Sequence, residues 1–326
     1  MSRLTFQEAL VAGIAEEMRQ DERVFFIGQD IGPLGGAMQG AQGLWDEFGP
    51  HRIRDAPISE SAMVGAAVGA AVMGQRPIVE ISFGEFLPTA MSQIVLQAAN
   101  MHYMTAGDAS VPLVLRTRVG DGPYRGHPQC YEAWFAHVPG LKVVMPATPT
   151  DAKGLMKAAI RDSNPVILFE HMYLYHGIRE EVPDDPDFAT PIGPAAVRRD
   201  GRDVTVAATA WMVHKALHAA EELSQEGIEV EVLDLRTLAP LDHDSLIASV
   251  EKTGRLVTAH EAWRSGGSGA EVAAVVAEHA LESLLAPIQR VGAPPIPEPL
   301  SQPLRDQFVP SEADITAAVR EAMRYD

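Results

Sequence analysis

Residues 55–74 form the stretch that most constrains how this chain folds. Pro57 favours an extended backbone at the residue before it, and Ser59 then provides a good helix N-cap ahead of Glu60. From residue 61 to residue 74 the chain contains only Ala, Gly, Val, Met and one Ser. A helix that is apolar on all sides has no face for solvent. We therefore expect a buried helix, closely packed through its small residues, with the Glu60 carboxyl group at its start.

Glu60 has two interpretations at this level. A glutamate in the first turn interacts favourably with the helix dipole, so a simple capping role is the ordinary explanation. A carboxyl group at the start of a buried helix can instead have a shifted pKa and take part in chemistry. The residues alone leave both interpretations open.

Composition limits the classes of function. The 326 residues are enough for two domains, and the formal net charge of −18 argues against nucleic acid binding through a basic surface. Cys130 is the only cysteine, which excludes an intramolecular disulfide and fits a reducing compartment. Charged residues interrupt any signal-like run at the N-terminus, and the apolar run 65–73 is too short to span a bilayer. We expect a cytoplasmic protein that binds neither nucleic acid nor a membrane.

Strand and helix patterns alternate along the chain. Strands are predicted at 24–28, 77–81, 111–116, 141–145 and 166–169, and helices at 5–20, at 60–74, from Pro88 and at 151–161. Such alternation predicts an α/β fold with a mostly parallel sheet covered on both faces. A proline-rich acidic segment then interrupts the pattern, which restarts at Val204. We predict two α/β domains, residues 1–180 and 201–326, joined by a linker at 181–200.

The loop 118–130 follows a predicted strand, where open α/β sheets bind their ligands. His127 is either a general acid or base or a solvated loop residue, and Cys130 is either a nucleophile or buried filler. Residues 120–122 match the start of a motif that binds thiamine diphosphate and magnesium. The Asn-Asn pair that completes this motif is missing from residues 147–150, so we discard it.

Longer strings of residues carry a family resemblance. In order they are Pro57-Ile58-Ser59-Glu60, Pro139-Gly140-Leu141-Lys142-Val143-Val144, Thr150-Asp151-Ala152-Lys153-Gly154-Leu155, Ala159-Ile160-Arg161-Asp162, Leu233-Asp234-Leu235-Arg236-Thr237-Leu238-Ala239-Pro240-Leu241-Asp242, His260-Glu261-Ala262 and Ser265-Gly266-Gly267-Ser268-Gly269-Ala270-Glu271. With them the chain resembles the β subunits of the thiamine-dependent 2-oxo acid dehydrogenases, the pyruvate, branched-chain and acetoin dehydrogenase group. The resemblance covers essentially the whole chain.

This resemblance implies a transketolase-like pyrimidine-binding domain followed by a transketolase C-terminal domain. In the family a separate α subunit supplies the diphosphate and Mg²⁺ site, which would explain the incomplete motif here. Thiamine diphosphate lies between the subunits of an α2β2 tetramer, and a lipoyl acyltransferase core is the expected further partner.

The resemblance also implies roles for particular residues. Glu60 matches the glutamate that hydrogen-bonds the aminopyrimidine ring, Phe86 matches the aromatic residue that packs on that ring, and His127 matches the histidine that stabilises intermediates and assists acyl transfer to a lipoyl arm. A potassium site, formed mostly by backbone oxygens in some members, matches Leu113, Ala159, Ile160, Asp162 and Asn164.

The predicted function is therefore that of a β subunit in oxidative decarboxylation of pyruvate or a related 2-oxo acid, or in acetoin cleavage, with acyl transfer to lipoamide. The alternatives are a thiamine-dependent carboligase and a non-catalytic assembly subunit, although the presence of Glu60, Phe86 and His127 argues against the latter. The loop before His127 is shorter than in pyruvate dehydrogenases, Pro128 replaces a serine, and Ser92 stands where many members have aspartate. These departures leave the substrate open.

Overall fold

The computed structural model of the chain describes residues 1–122, 124 and 126–325. The strands of these residues are β1 (Ser2–Thr5), β2 (Val24–Gln29), β3 (Ile53–Ala56), β4 (Arg76–Ile81), β5 (Val114–Val119), β6 (Lys142–Val144), β7 (Val166–His171), β8 (Arg179–Val182), β9 (Ala196–Arg199), β10 (Val204–Ala208), β11 (Val230–Asp234), β12 (Thr237–Ala239), β13 (Leu256–Trp263) and β14 (Gln289–Ala293).

The α-helices of the same residues are α1 (Phe6–Gln20), α2 (Leu44–Phe48), α3 (Glu60–Val72), α4 (Met101–Met104), α5 (Glu132–Ala136), α6 (Pro149–Arg161), α7 (Leu174–Gly177), α8 (Trp211–Ser224), α9 (His243–Thr253), α10 (Ser268–His279), α11 (Gln302–Phe308) and α12 (Glu312–Ala322). A 3₁₀ helix spans Gly84–Ala90, a π-helix spans Ser92–Ala98 and a short 3₁₀ helix spans Leu281–Ser283.

Two sheets organise these elements. The first has the strand order β12-β6-β7-β5-β4-β2-β3 and is parallel except for β12. The second has the order β14-β13-β10-β11-β9 and is parallel except for β9. The interior strands β4, β5, β7, β10 and β11 are almost entirely buried, as expected when helices cover both faces of a parallel sheet, whereas the edge strands β3 and β9 are partly accessible. The predicted α/β fold with mostly parallel sheets is confirmed.

Strands at both ends of the predicted linker attach it to the two halves of the chain. Arg179–Val182, which runs from the end of the predicted first domain into the linker, pairs antiparallel with β1, and Ala196–Arg199 joins the edge of the second sheet. Conversely, β12 comes from the second half of the chain and pairs with β6 in the first sheet. The largest buried cluster likewise includes side chains from both halves, such as Leu141 and Leu233. The boundaries 1–180, 181–200 and 201–326 stay a prediction.

The chain is helical around Pro88, but the predicted start of the helix at this residue is wrong. The chain enters a 3₁₀ helix already at Gly84, and Pro88 lies inside it. A Cβ atom on Gly84 would lie 2.7 Å from Cγ1 of Val119, so the segment turns tightly against β5 as soon as β4 has ended. The start is set by this packing, which the proline does not reveal.

The burial predicted for α3 is only half correct. Val64, Ala67 and Val68 are buried, but Ala62 and Ala66 are exposed. Gly69 and Met73 continue the exposed side, and Met73 has 81% of its surface accessible. This exposed side of α3 is apolar and consists mainly of small residues, so the single chain leaves uncovered a surface that its sequence suits to burial.

Among the described residues, the model contains no helix with the length and apolar character needed to cross a membrane.

Candidate active site

Three of the predicted site residues follow the carboxyl ends of neighbouring strands. Glu60 comes after β3, Phe86 after β4 and His127 after β5, and these strands lie in the order β5-β4-β2-β3. Because the strands are parallel, their carboxyl ends share one edge of the sheet, where α/β proteins bind ligands. The fold thus brings together three residues that are far apart in the sequence.

Glu60 is the first residue of α3, and its side chain is partly exposed rather than buried. The Ser59 side chain makes no capping hydrogen bond. The Thr89 hydroxyl donates to the carbonyl oxygen of Phe86 at 2.6 Å. Oγ1 of Thr89 also lies 3.4 Å from Oε2 of Glu60. Ser61 Oγ in turn donates to the carbonyl oxygen of Thr89. Thr89 therefore joins the start of α3 to the segment that carries Phe86.

Phe86 and His127 are in direct contact. Their ring centroids lie 4.7 Å apart with an interplanar angle of 60°, an edge-to-face arrangement that aromatic groups favour. Phe83 lies 5.3 Å from His127 between centroids, and the ring of Tyr124 stacks on Phe83 at 5.1 Å. The predicted aromatic and histidine positions are thus part of one cluster of rings.

Glu85 is a site residue that sequence reasoning missed. Its Oε2 atom lies 3.0 Å from Nδ1 of His127, and its Oε1 atom accepts the N–H of Gln129 at 3.3 Å. The side chains of His127 and Glu85 are 35% and 18% exposed, so the pair lies at the mouth of the site. The available signal was the position of Glu85 between Phe83 and Phe86, just after β4.

The loop that carries His127 is fixed to the rest of the fold. Gly120 has φ +80°, a conformation that favours glycine, and a Cβ there would lie 2.1 Å from Nε2 of His171. The Gly120 N–H donates to Pro128 at 2.7 Å. Glu261, from β13, accepts the N–H of Asp121 and lies 2.9 Å from Nε2 of His171.

Arg305 holds the same loop from α11. Its guanidinium pairs with the Asp121 carboxylate, and its Nη1 atom lies 3.3 Å from Oε1 of Glu298. The Arg305 side chain is 1% exposed. Residues of the second sheet and of the C-terminal segment therefore anchor a loop that begins at the first sheet.

Cys130 fits the filler interpretation rather than the nucleophile. The thiol is buried, and burial raises its pKa, with a further increase from the carboxylates of Glu132, Glu261 and Glu298. A thiol with a raised pKa stays protonated and is a poor nucleophile.

A fully buried set of charges lies under the site, between neighbouring strands. Arg116 forms a bidentate ion pair with Glu170, with hydrogen bonds of 2.6 and 2.8 Å, and Arg118 donates to Glu80 at 2.8 Å. Arg116 also donates to the carbonyl oxygen of Gly40 at 2.7 Å. This contact fixes the glycine-rich loop that follows β2.

The residues predicted for potassium lie together beside the end of α6, but their oxygens already have donors. Arg76 Nη1 donates to the carbonyl oxygens of Ile160 and Asp162 at 2.7 and 2.9 Å. Lys142 Nζ pairs with the Asp162 carboxylate, whose other oxygen accepts the N–H of Asn164 at 2.9 Å.

The two remaining backbone oxygens of that set are also engaged. The carbonyl oxygen of Leu113 accepts the N–H of Val166 at 2.9 Å, and that of Ala159 accepts the N–H of Asp162 at 3.3 Å. Two cationic side chains therefore stand where the potassium ion was predicted, and a further cation would be repelled by them.

Comparison with known proteins agrees with the fold. Residues 2–176 match the transketolase pyrimidine binding domain family, and residues 193–315 match the transketolase C-terminal domain family. A solved split-gene transketolase, an inactive β4 tetramer, superposes with a TM-score of 0.78 at 25% identity and covers 99% of each chain.

Three relatives identify a more specific group among proteins with these two domains. The chain is 43% identical to the 2-oxoisovalerate dehydrogenase subunit beta of Bacillus subtilis (strain 168), covering 100% of both chains. It is 45% identical to the mitochondrial pyruvate dehydrogenase E1 component subunit beta-2 of Oryza sativa subsp. japonica, covering 98% of this chain and 86% of the relative. It is 44% identical to the acetoin:2,6-dichlorophenolindophenol oxidoreductase subunit beta of Cupriavidus necator, covering 99% and 98%.

The fold and the domain matches define a transketolase-like chain. Within that class the chain belongs to the β subunits of the thiamine diphosphate-dependent 2-oxo acid dehydrogenases. Membership in this family implies dependence on thiamine diphosphate and a separate α subunit as partner.

Proposed function

We propose that this chain supplies the pyrimidine side of a thiamine diphosphate site in an α2β2 tetramer, which decarboxylates a 2-oxo acid, or cleaves acetoin, and passes the acyl group to lipoamide. The observation that carries the proposal is the convergence of Glu60, Phe86 and His127 at one sheet edge. When bound, thiamine diphosphate supplies the carbon nucleophile and stabilises the electron pair left by decarboxylation.

Glu60 and Phe86 are suited to hold the aminopyrimidine ring. The Glu60 carboxylate is partly exposed at the start of α3, where it can accept a hydrogen bond from a ring of the cofactor. The Phe86 side chain is partly buried and held by the neighbouring rings, so one aromatic surface has a fixed position. The cofactor and the α subunit together would shield this carboxyl group from solvent.

His127 is suited to move a proton beside the reacting carbon. An imidazole can both donate and accept a proton, and this ring is partly exposed at the mouth of the site, where a substrate or a lipoyl arm would enter. In this role His127 stabilises the oxygen of the bound acyl group and transfers a proton while the acyl group moves to the lipoyl sulfur.

The α subunit is proposed to cover the exposed side of α3. That side begins two residues after Glu60 and presents Ala62, Ala66 and Gly69, and a Cβ on Gly69 would meet no atom within 4 Å. A partner could therefore approach the backbone closely and bury Glu60 at the same time. We propose that the α subunit supplies the diphosphate site and Mg²⁺, that a lipoyl acyltransferase core completes the complex, and that the complex works in the cytoplasm.

The substrate stays open among three classes. The relatives named for 2-oxoisovalerate, pyruvate and acetoin are 43%, 45% and 44% identical, and such similar values do not favour one of them. Tyr124 belongs to the shortened loop before His127, and its ring stacks on Phe83 at 5.1 Å, so this loop is where a substrate preference would arise.

Reconstitution tests the proposed function. Tagged β chain is co-expressed with its α subunit, and the complex is measured for mass, for thiamine diphosphate binding, and for turnover of pyruvate, 2-oxoisovalerate and acetoin. We expect a tetramer that reduces an artificial acceptor and acylates a lipoyl domain. Carbon–carbon ligation products without lipoyl acylation would favour the carboligase alternative, and a complex that binds no cofactor would favour the assembly subunit.

A potassium ion bound beside the end of α6 would have to displace Arg76 and Lys142, which already provide positive charge there. Thermal unfolding of the complex in potassium chloride and in sodium chloride of equal concentration tests it. A higher melting temperature in potassium alone would support the site, and equal melting temperatures would remove it.

A further inference from the structure

We propose that Glu85 is the positioning residue of His127, holding its ring in one tautomer and one orientation so that Nε2 faces the reacting groups. The inference rests on the proposed function, because it concerns a residue that acts through His127.

The geometry of the carboxylate carries the inference. Oε2 of Glu85 lies 3.0 Å from Nδ1 of His127, while Oε1 accepts the N–H of Gln129 at 3.3 Å. One carboxylate therefore holds both the ring and the backbone two residues further along. With both oxygens engaged, the carboxylate cannot rotate without losing a hydrogen bond, so it fixes the ring relative to its own loop.

This contact also selects the tautomer. An ionised carboxylate only accepts hydrogen bonds, so the ring nitrogen that faces it, Nδ1 of His127, carries a proton. In the neutral ring Nε2 is then the nitrogen with a free lone pair, and in the charged ring it is the proton donor. Either way, proton transfer at the site takes place through Nε2.

Neighbouring rings limit the remaining motion of His127. The centroid of Phe86 lies 4.7 Å away, that of Phe83 5.3 Å away and that of Tyr124 6.3 Å away. Rotation of the imidazole about its bond to the chain would drive it into these rings. The carboxylate sets the direction of the ring, and the aromatic cluster keeps it in that direction.

The other carboxylates near the pair have partners of their own. Oε1 of Glu298 lies 3.3 Å from Nη1 of Arg305, Asp121 is paired with the same guanidinium, and Glu261 is in contact with His171. Glu85 is therefore the carboxylate in direct contact with the His127 ring.

Removal of this charge gives a kinetic signature. In the α/β holoenzyme carrying Glu85→Gln we expect kcat to fall about tenfold with KM within about twofold of wild type, because orientation and proton transfer are affected more than binding. The ¹⁵N chemical shifts of the His127 ring should show one tautomer, protonated at Nδ1, in the wild-type complex and a mixture of both tautomers in Glu85→Gln, because the carboxylate that faces Nδ1 is gone.

Two further variants separate charge from shape. Glu132→Gln is the matched control: it removes another glutamate carboxyl group near the loop, one that is buried and makes no hydrogen bond with the described residues, so kcat and the His127 tautomer should equal those of wild type. Glu85→Asp keeps the charge but shortens the reach, so its kcat should lie between those of wild type and Glu85→Gln. A His127 ring that shows the same single tautomer in Glu85→Gln as in wild type contradicts the inference.

A His127→Ala variant distinguishes this inference from the proposed function. If His127→Ala is inactive and Glu85→Gln has the wild-type kcat and the wild-type His127 tautomer, the positioning role of Glu85 is refuted while the role of His127 stands. If His127→Ala retains full activity, the proposed role of His127 fails first, and that of Glu85 fails with it.

Discussion

At the scale of single residues, a substitution of Glu60 can distinguish a role in capping α3 from a role in the active site. A carboxylate that only complements the helix dipole contributes about 0.3–1 kcal/mol to stability. We therefore expect Glu60→Gln to change the free energy of unfolding by no more than this, while turnover falls about 100-fold or more because the cofactor loses its carboxyl partner. Chemical denaturation of the β chain and steady-state kinetics of the holoenzyme measure the two effects.

Ser59→Ala is the control for this prediction. The Ser59 side chain makes no capping hydrogen bond, so its removal should leave turnover unchanged and stability within about 0.5 kcal/mol of wild type. Full turnover by Glu60→Gln, together with a small loss of stability, would return Glu60 to the capping role.

Residue patterns predicted the site unevenly. Glu60 stands in one of the strings that carry the family resemblance, Phe86 and His127 match family positions outside those strings, and the strand order explains why the three meet. Glu85 was not predicted, because its partner lies 42 residues away and the contact depends on how the loop after β5 folds back over the segment after β4. A pattern along the chain identifies which residues can react, whereas a contact between loops depends on the tertiary fold.

At the scale of elements, the uniform apolar run of α3 predicted burial correctly for one side and incorrectly for the other in the single chain. An apolar pattern looks the same in the sequence whether the surface is covered by its own chain or, as we propose for the exposed side of α3, by a partner subunit. The predicted start of the helix at Pro88 was wrong for a different reason. Packing against β5 starts the 3₁₀ helix already at Gly84.

The exposed side of α3 gives an assembly prediction. Ala66→Leu adds bulk at an exposed position, so the isolated chain should keep its stability within about 0.5 kcal/mol. We expect the variant to lose the α subunit in size-exclusion chromatography, because the added side chain prevents close approach of the partner.

Ala317→Leu on α12 is the matched control, since Ala317 is also an exposed alanine within a helix. It should assemble normally. Normal assembly of Ala66→Leu would show that the α subunit binds elsewhere.

At the scale of the whole molecule, the alternation of strands and helices predicted two mostly parallel sheets, but not how they are joined. The antiparallel strand β12 returns to the first sheet, and Arg305 and Glu261 reach the loop of His127 from elements beyond the linker. These contacts join residues that no local periodicity relates, since Arg305 and Asp121 are 184 positions apart.

The ion pair between Arg305 and Asp121 should therefore couple the C-terminal segment to the active site. In Arg305→Met the Asp121 carboxylate loses its cation, and breaking a buried pair in this way costs about 3–5 kcal/mol when the remaining charge stays buried. Asp121 is 16% exposed at its side chain, so the loop can relieve part of this cost by moving outward. We expect faster amide hydrogen exchange across residues 119–130 and a lower kcat at an almost unchanged KM.

Arg290→Met, which removes an exposed arginine from β14, is the comparison for that experiment and should leave both exchange and kcat unchanged. The double variant Arg305→Met with Asp121→Asn removes both charges, so its loss of stability should be smaller than the sum of the two single losses. Strictly additive losses, with exchange in the loop equal to that of wild type, would mean that the C-terminal segment does not hold the catalytic loop and that the geometry of His127 is set within the first sheet alone.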